Sequence, residues 1–267
     1  MTTVKTGIYY DLENEAYHGS EGLSKSDLDQ LHRSAAHYMA AKTMRDDPTP
    51  SMIFGSAFHC FVLEPDRFRR EYAAAPDVDR RTKAGKEAWK ELETAGKTVL
   101  AADDYSALIQ MRDSIMSNPI AAELVNNSKH EVSAYAENDG VLCKCRPDIW
   151  SEKLGVIADL KTTLDASPKG FARAVADWRY HVQDAWYREV WEKAGGEKAR
   201  EFIFIAVEKK PPYSTGIYFL HPDAKLQGWA EALNDMKVYI EASRNNEWKA
   251  YSENPVELEL PRWAQNF

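Results

Sequence analysis

The chain has 267 residues, 44% of them apolar, with eight Trp and thirteen Tyr, which is ample for a core and too much for a disordered chain. Its 34 Lys and Arg against 42 Asp and Glu give a net charge of −8, which argues against a generic nucleic-acid coat but leaves room for a local basic track. No apolar run approaches the roughly 20 residues that cross a bilayer, and MTTVKTGIYYD lacks a basic-then-apolar leader, so a cytoplasmic protein is expected.

After a short extended aromatic piece, Ser24 or Ser26 reads as the N-cap of a helix on which Leu28, Leu31, Ala35 and Met39 share a face. Asp46-Asp47-Pro48-Thr49-Pro50 breaks that helix. Residues 51–63, SMIFGSAFHCFVL, resume as an apolar helix in which Gly55, Ser56 and Ala57 permit close packing. His59 within it is either a satisfied core histidine or a ligand or hydrogen-bond partner for bound water. Glu64 at its end is expected to cap or to be solvated.

Residues 65–97 are rich in charge. Asp79-Arg80-Arg81-Thr82-Lys83-Ala84-Gly85-Lys86 reads as a loop-to-helix junction whose amides and basic side chains suit phosphate, with a solvated surface as the plain alternative. Residues 103–117 form an amphipathic helix with Leu108, Ile109, Met111, Ile115 and Met116 as its apolar positions. Asn118-Pro119 ends or kinks it, and 120–125 add a short helical piece.

HEVSAYAE, 130–137, alternates as a strand with Glu131 at its start. Asn138-Asp139-Gly140 is a hairpin turn leading into a second strand over 141–149. Cys143 and Cys145 share a face there; with Cys60 they fall short of the four thiolates a structural zinc site wants, and all three are expected to be reduced, packed thiols. On the next strand Asp159 and Lys161 share a face with Ile157, while Val156, Ala158 and Leu160 face the other way.

Asp148, near the end of its strand, and Asp159 converging beside Lys161 make a site for a hard divalent cation. Such a cation takes oxygen ligands and keeps several waters, which leaves room for a substrate phosphate. A metal-bound water next to a lysine is a suitable nucleophile for phosphodiester hydrolysis. Taken alone, Asp plus Asp-x-Lys is a weak pattern, better accounted for by an ordinary hairpin with surface charges.

Residues 171–194 read as one long helix stopped by Gly195-Gly196. Gln183 and Tyr187, four apart, stack on one of its faces. Either they support a site, or the tyrosine packs and the glutamine is solvated. REFIFIAV, 200–207, suits the middle of a sheet, and 214–220 return as a strand. A closing helix over 224–244 offers Leu226, Trp229, Ala230, Leu233 and Met236 to the core. The tail through Leu258, Leu260 and Pro261-Arg262-Trp263 is expected to lie against the rest. No repeat, linker or low-complexity tract interrupts the chain, so a single domain over 1–267 is expected.

The blocks GSAFHCFVLEP, RRTKAGK, RPD…DLKTT, YHVQDAWY and LPRWA, in that order, resemble the nuclease domain of the RecE (exonuclease VIII) family. That family lies in the RecB-like branch of the PD-(D/E)xK nuclease superfamily, and the likeness runs from about Tyr10 to Trp263. It implies an α/β fold with a restriction-endonuclease-like core: a central mixed sheet of about five strands, flanked by helices, with helical additions at the N-terminus. It implies Mg2+, with Mn2+ as a substitute, on Asp148 and Asp159, and His59 completing or supporting the site. Lys161 would orient or deprotonate the attacking water, and Gln183 and Tyr187 would form the supporting shell. Glu131 would face either the metal or solvent, and Arg80, Arg81, Lys83, Lys86 and Arg146 would contact DNA.

The same resemblance implies a 5′-to-3′ exonuclease on linear double-stranded DNA that leaves 3′ single-stranded tails for recombination. It further implies a homo-oligomeric ring, a tetramer, and a single-strand annealing protein of the RecT type as partner, with no membrane. Two other readings stay open. One is a structure-specific or single-strand nuclease of the same superfamily. The other is a non-catalytic DNA-end or partner-binding module, against which the intact Asp148, Asp159 and Lys161 weigh.

Overall fold

In a computed structural model the described residues are 4–44, 47–261 and 264. The chain opens with β1 (Gly7–Tyr9), α1 (Asn14–Gly19), α2 (Lys25–Arg33) and α3 (Ala35–Thr43). Ser24 is the cap of α2: its side chain accepts from the Asp27 amide while the Asp27 carboxylate accepts from the Ser24 amide, which satisfies two otherwise orphaned donors. The single helix expected here is two, because Ser34 adopts extended backbone and caps α3 by accepting from the His37 amide. Asp46 of the expected breaker lies outside the described residues.

Next come α4 (Pro50–Leu63), α5 (Pro65–Glu71), β2 (Tyr72–Ala74), α6 (Lys83–Thr94), β3 (Thr98–Leu100), α7 (Ala102–Ser117) and α8 (Pro119–Asn126). In α4 only Ala57 of the three small residues is buried; Ser56 is exposed, and a Cβ on Gly55 would meet nothing. Leu108, Met111 and Ile115 of α7 are buried, whereas Ile109, expected on that face, looks outward. The Asn118 side chain accepts from the amides of Ile120 and Ala121 and so starts α8 where α7 ends.

The sheets follow: β4 (Lys129–His130), β5 (Ser133–Asn138), β6 (Val141–Cys145), β7 (Ile149–Ser151) and β8 (Val156–Thr163). They are completed by α9 (Pro168–Asp177), α10 (Tyr180–Lys193), β9 (Glu201–Glu208), β10 (Thr215–Tyr218) and α11 (Pro222–Asn245). A five-stranded sheet has the order β10-β9-β8-β7-β4, with β8 and β9 parallel and the other pairs antiparallel. β1, β5 and β6 form a separate antiparallel sheet, and β2 pairs with β3.

The hairpin expected over 130–149 is present, but each of its strands is broken. Lys129 pairs with Trp150 and Ala134 with Cys145, so one register runs through both parts. Between them Pro147 has no amide to give the ladder, and Glu131 opposite takes a left-handed backbone, φ 52°. The break sends the two halves into two sheets, and it is what presents Asp148. At the far end Asp139 and Gly140, both with positive φ, make the expected two-residue turn.

β8 has side chains in two cores. Ile157 packs with Trp150, Trp186 and Trp191 below α10, while Val156, Ala158 and Leu160 pack with Phe58 and Leu108 on the opposite face. Cys143 and Cys145 fill the first core and Cys60 the second, all as free thiols.

The expected 171–194 helix is also two, α9 and α10, separated at Trp178 and Arg179, where Arg179 has φ 52°. α11 crosses α10 closely at Gly228, where a Cβ would come within 2.1 Å of the His181 carbonyl oxygen. Met236 is buried and Trp229 and Leu233 are half-buried, but Leu226 and Ala230 face solvent. Nor does the tail lie against the fold as expected: Leu258 and Leu260 are exposed, and Arg262 and Trp263 lie outside the described residues.

Candidate metal centre

β8 delivers Asp159 and Lys161 to one face, beneath α10, and α4 passes the other. Asp148, the residue before β7, reaches across so that its Oδ2 accepts from the Leu160 amide at 2.8 Å, between the other two site residues. His59 of α4 has Nε2 2.9 Å from the Leu160 carbonyl oxygen and 3.2 Å from Asp148 Oδ2, and Nδ1 2.9 Å from the Gly55 carbonyl oxygen. Carbonyl oxygens only accept, so both ring nitrogens carry protons. Burial opposes that charge, but the Asp148 carboxylate and the Gly55 carbonyl outweigh it and push His59 up to about 10.

On the other side of β8, Asp159 Oδ1 meets the Lys161 ammonium and Oδ2 accepts from the side-chain amide of Gln183 on α10. Burial and the neighbouring Asp148 charge raise the Asp159 pKa against the pull of Lys161. Asp148 moves the other way: burial alone would raise it, but His59 and Lys161 hold it down. For Lys161 the loss of solvent is overcome by Asp159, so the ammonium stays charged. Its Nζ lies 4.6 Å from the centre of the Tyr180 ring, a cation–π contact.

Glu131 joins the edge of this group. Its amide donates to the Asp148 carbonyl at 3.1 Å, and its carboxylate, 3.3 Å from Arg146 Nε, is pushed up to about 8 by burial and by Asp148. Arg146 is therefore not the DNA contact expected of it. Its side chain is only 9% exposed, and its donors go to Glu131, Asn14 and Leu12. Tyr187, one turn from Gln183, is half-buried with its ring edge-on to Phe202 at 6.1 Å. Glu64 ends α4 as the expected cap residue, its amide donating to the Cys60 carbonyl at 2.9 Å, and its carboxylate pairs with Arg67 at 2.7 Å.

Beside Asp159 opens a cleft of about 380 Å³ whose walls carry four lysines, Lys25, Lys42, Lys144 and Lys161, against Asp27 and Asp29. Three of these lysines are ion-paired, Lys25 with Asp29, Lys42 with Asp27 and Lys161 with Asp159, and Lys144 is buried with its ammonium donating to the Tyr17 and Ser20 carbonyls. Lys25 and Tyr180 had no signal in the local sequence: Lys25 is joined to the site through Trp178, whose carbonyl its Nζ reaches from 153 residues away. Arg80, Arg81, Lys83 and Lys86 are exposed at the start of α6 as expected, but that junction's amides are engaged internally. The Arg81 amide donates to Asp79 and the Gly85 amide to Thr82. Phosphate would meet side chains there rather than a ring of amides.

Among the described residues no three His, Cys, Asp or Glu side chains form a metal cage. Two carboxylates nevertheless fit a hydrated hard cation, which needs only one or two from the protein. Asp159 Oδ1 is buried with the Lys161 ammonium as its partner, so a cation bound there would share that oxygen with the lysine. His59, with both nitrogens engaged, supports Asp148 rather than completing a ligand set.

Residues 24–258 match the family described as "PDDEXK-like domain of unknown function (DUF3799)". The chain belongs to that family. As a PDDEXK-like protein it has the restriction-endonuclease-like arrangement of a mixed sheet flanked by helices. It superposes on a candidate exonuclease from Eubacterium rectale with a TM-score of 0.66 and 15% identity, over 94% of this chain and 96% of that one. A phage-related exonuclease from Haemophilus somnus 129PT is a more distant likeness, with a TM-score of 0.34 and 14% identity over 86% of this chain and 98% of that one. The sequence matches no curated protein. The family match places the chain among PDDEXK-like proteins and stops short of the RecE family itself. None of the helices among the described residues is long and apolar enough to cross a membrane.

Proposed function

We propose that this PDDEXK-like protein is a magnesium-dependent exonuclease that degrades one strand of linear duplex DNA in the 5′-to-3′ direction and leaves a 3′ tail. The observation that supports metal-dependent phosphodiester chemistry is the convergence of Asp148, Asp159 and Lys161, with Lys161 lining the cleft; the direction and the linear duplex substrate follow from the RecE resemblance. Asp148 and Asp159 would hold the cation, Mg2+ or in its stead Mn2+. When bound, that cation would acidify a water and neutralise charge on the scissile phosphate.

The protein's own groups do the rest. Gln183 and the Leu160 amide fix the two carboxylates from opposite sides of β8, so little reorganisation is left for the reaction. Lys161, kept charged by Asp159, orients the attacking water and offsets the negative charge that grows on the phosphate. His59 braces Asp148. Tyr187 walls the cleft beside Gln183. Of the cleft lysines Lys42, with 43% of its side chain exposed, would meet the DNA backbone by charge.

By the RecE resemblance this is a single cytoplasmic nuclease domain assembled as a tetrameric ring around the duplex, handing its 3′ tail to a RecT-type annealing protein for recombination. Linear duplexes labelled at either end, incubated with and without Mg2+ beside covalently closed circles, test the proposal. The expected result is Mg2+-dependent loss of the 5′-ended strand of linear DNA while circles survive. Equal cutting of circles would exclude an exonuclease.

A further inference from the structure

Trp178 is 65% exposed, yet the backbone that carries it is held fast. It sits with Arg179 in the break between α9 and α10, and the Arg179 guanidinium is fixed by Asp29 at 3.1 Å, Glu231 at 3.2 Å and Asp235 at 2.6 Å. The Trp178 carbonyl accepts from Lys25 Nζ at 2.7 Å. An indole gains more from burial than almost any side chain. Here a helix is interrupted, and an arginine takes a left-handed backbone conformation, at the point where the ring is held in water.

Trp178 lines a cavity of about 630 Å³ that adjoins the metal centre through Thr162 and Tyr180. Thr162 and Thr163, which follow Lys161 on β8, form one wall; Tyr180, whose ring contacts Lys161 Nζ, forms another. Leu164, 81% exposed, lines the same cavity. Its charges cancel, Arg173 and Lys209 against Asp165 and Asp177, so it offers a phosphate no net attraction, unlike the lysine-lined cleft on the far side of Tyr180. What fits is a flat, neutral group with an apolar face and a polar edge, such as could stack on indole and meet threonine hydroxyls.

We propose that this cavity seats an unpaired nucleobase of the strand being cut, stacked on Trp178. The assignment rests on the nuclease reading above and adds to it where the base beside the scissile phosphate goes. Two binding surfaces of different character then meet at Tyr180: one reads backbone charge, the other a base face.

The test is fluorescence anisotropy of a labelled single-stranded oligonucleotide, with Ca2+ in place of Mg2+, against the wild type, W178A and W178F. The same is done with a strand of equal length made of abasic sites. Stacking on one aromatic typically changes binding about 5- to 150-fold, so W178A should weaken binding by that factor and W178F should recover most of it. The abasic strand should bind the wild type more weakly than the normal strand and should not distinguish it from W178A. If W178A binds the normal strand within twofold of wild type, or loses as much on the abasic strand, the inference is wrong. Should W178A fail to fold, the wild type's preference for the normal over the abasic strand and the W178F result still decide. A wild type that neither binds nor cuts DNA would overturn the nuclease reading itself, whereas one that cuts normally while W178A is unchanged removes only the stacked base.

Discussion

Gln183 on α10 donates its side-chain amide to the buried carboxylate of Asp159 on β8, 24 residues earlier in the chain. The bond takes one oxygen of Asp159 and leaves the other towards Lys161 and the cleft. Partners of this kind, which orient a metal-binding group without touching the metal, typically contribute 10- to 100-fold to metal affinity. Gln183→Ala should therefore raise the Mg2+ concentration needed for half-maximal cleavage by about 10- to 100-fold, with the rate at saturating Mg2+ less affected. Titrating Mg2+ against cleavage of an end-labelled duplex checks it; an unchanged midpoint would make Gln183 a packing residue.

Lys161 should separate binding from chemistry. Its ammonium contacts Asp159 and the Tyr180 ring and is positioned to act on water, not to hold the cation. Lys161→Ala should keep calorimetric Mg2+ binding and lose about 10²- to 10⁴-fold in turnover, the usual worth of a positioned proton-handling group. Full activity in that variant would take lysine out of the mechanism.

These two residues also show how far the sequence could be read. The alternation of β8 was enough to pair Asp159 with Lys161, because strand geometry fixes which neighbours share a face. The spacing of Gln183 and Tyr187 put both on one turn of α10, but only the fold decides that Gln183 grips the acid. Breaks were harder to see. Ser34, Glu131 and Arg179 interrupt elements whose apolar periodicity runs straight through them: Ser34 does so locally, by capping the His37 amide, whereas the Arg179 guanidinium is anchored by Asp29, Glu231 and Asp235 from distant helices. Arg146 failed as a DNA contact for the same reason, since its partners Leu12 and Asn14 lie more than 130 residues away.

Removing Asp159 has a cost that the sequence did not disclose. Relief of carboxylate repulsion suggests that Asp159→Ala should leave the fold unharmed or firmer, but the structure pairs Asp159 with the Lys161 ammonium, whose side chain is only 17% exposed. Breaking one partner of a buried pair typically costs about 3–5 kcal/mol, because the other charge stays behind. Asp159→Ala should lose Mg2+ binding and also melt earlier in EDTA, and adding Lys161→Met should restore most of the loss. Thermal unfolding of the wild type, the single and the double variant decides it. Equal melting temperatures for wild type and Asp159→Ala would mean the pair contributes nothing.

Asp184 gives a pH signature that is independent of the metal. Its side chain is fully buried beside Gln183, and burial raises its pKa to about 6 against the pull of Arg188, 2.6 Å away. One oxygen, Oδ2, has no hydrogen-bond partner. A carboxyl whose folded pKa lies above its unfolded value binds its proton more tightly in the native state. Its neutral form fits the fold, so stability is greatest below the unfolded value near 3.8 and falls as pH rises through 6. Asp184→Asn lacks that slope. Relative to wild type it should therefore gain as pH rises from about 4 to 8, by at most about 3 kcal/mol at one pKa unit per 1.36 kcal/mol. Urea unfolding of both proteins at intervals across that range measures the difference; a gap that stays constant, or moves in favour of the wild type with rising pH, would show that the buried carboxyl is not the group responsible.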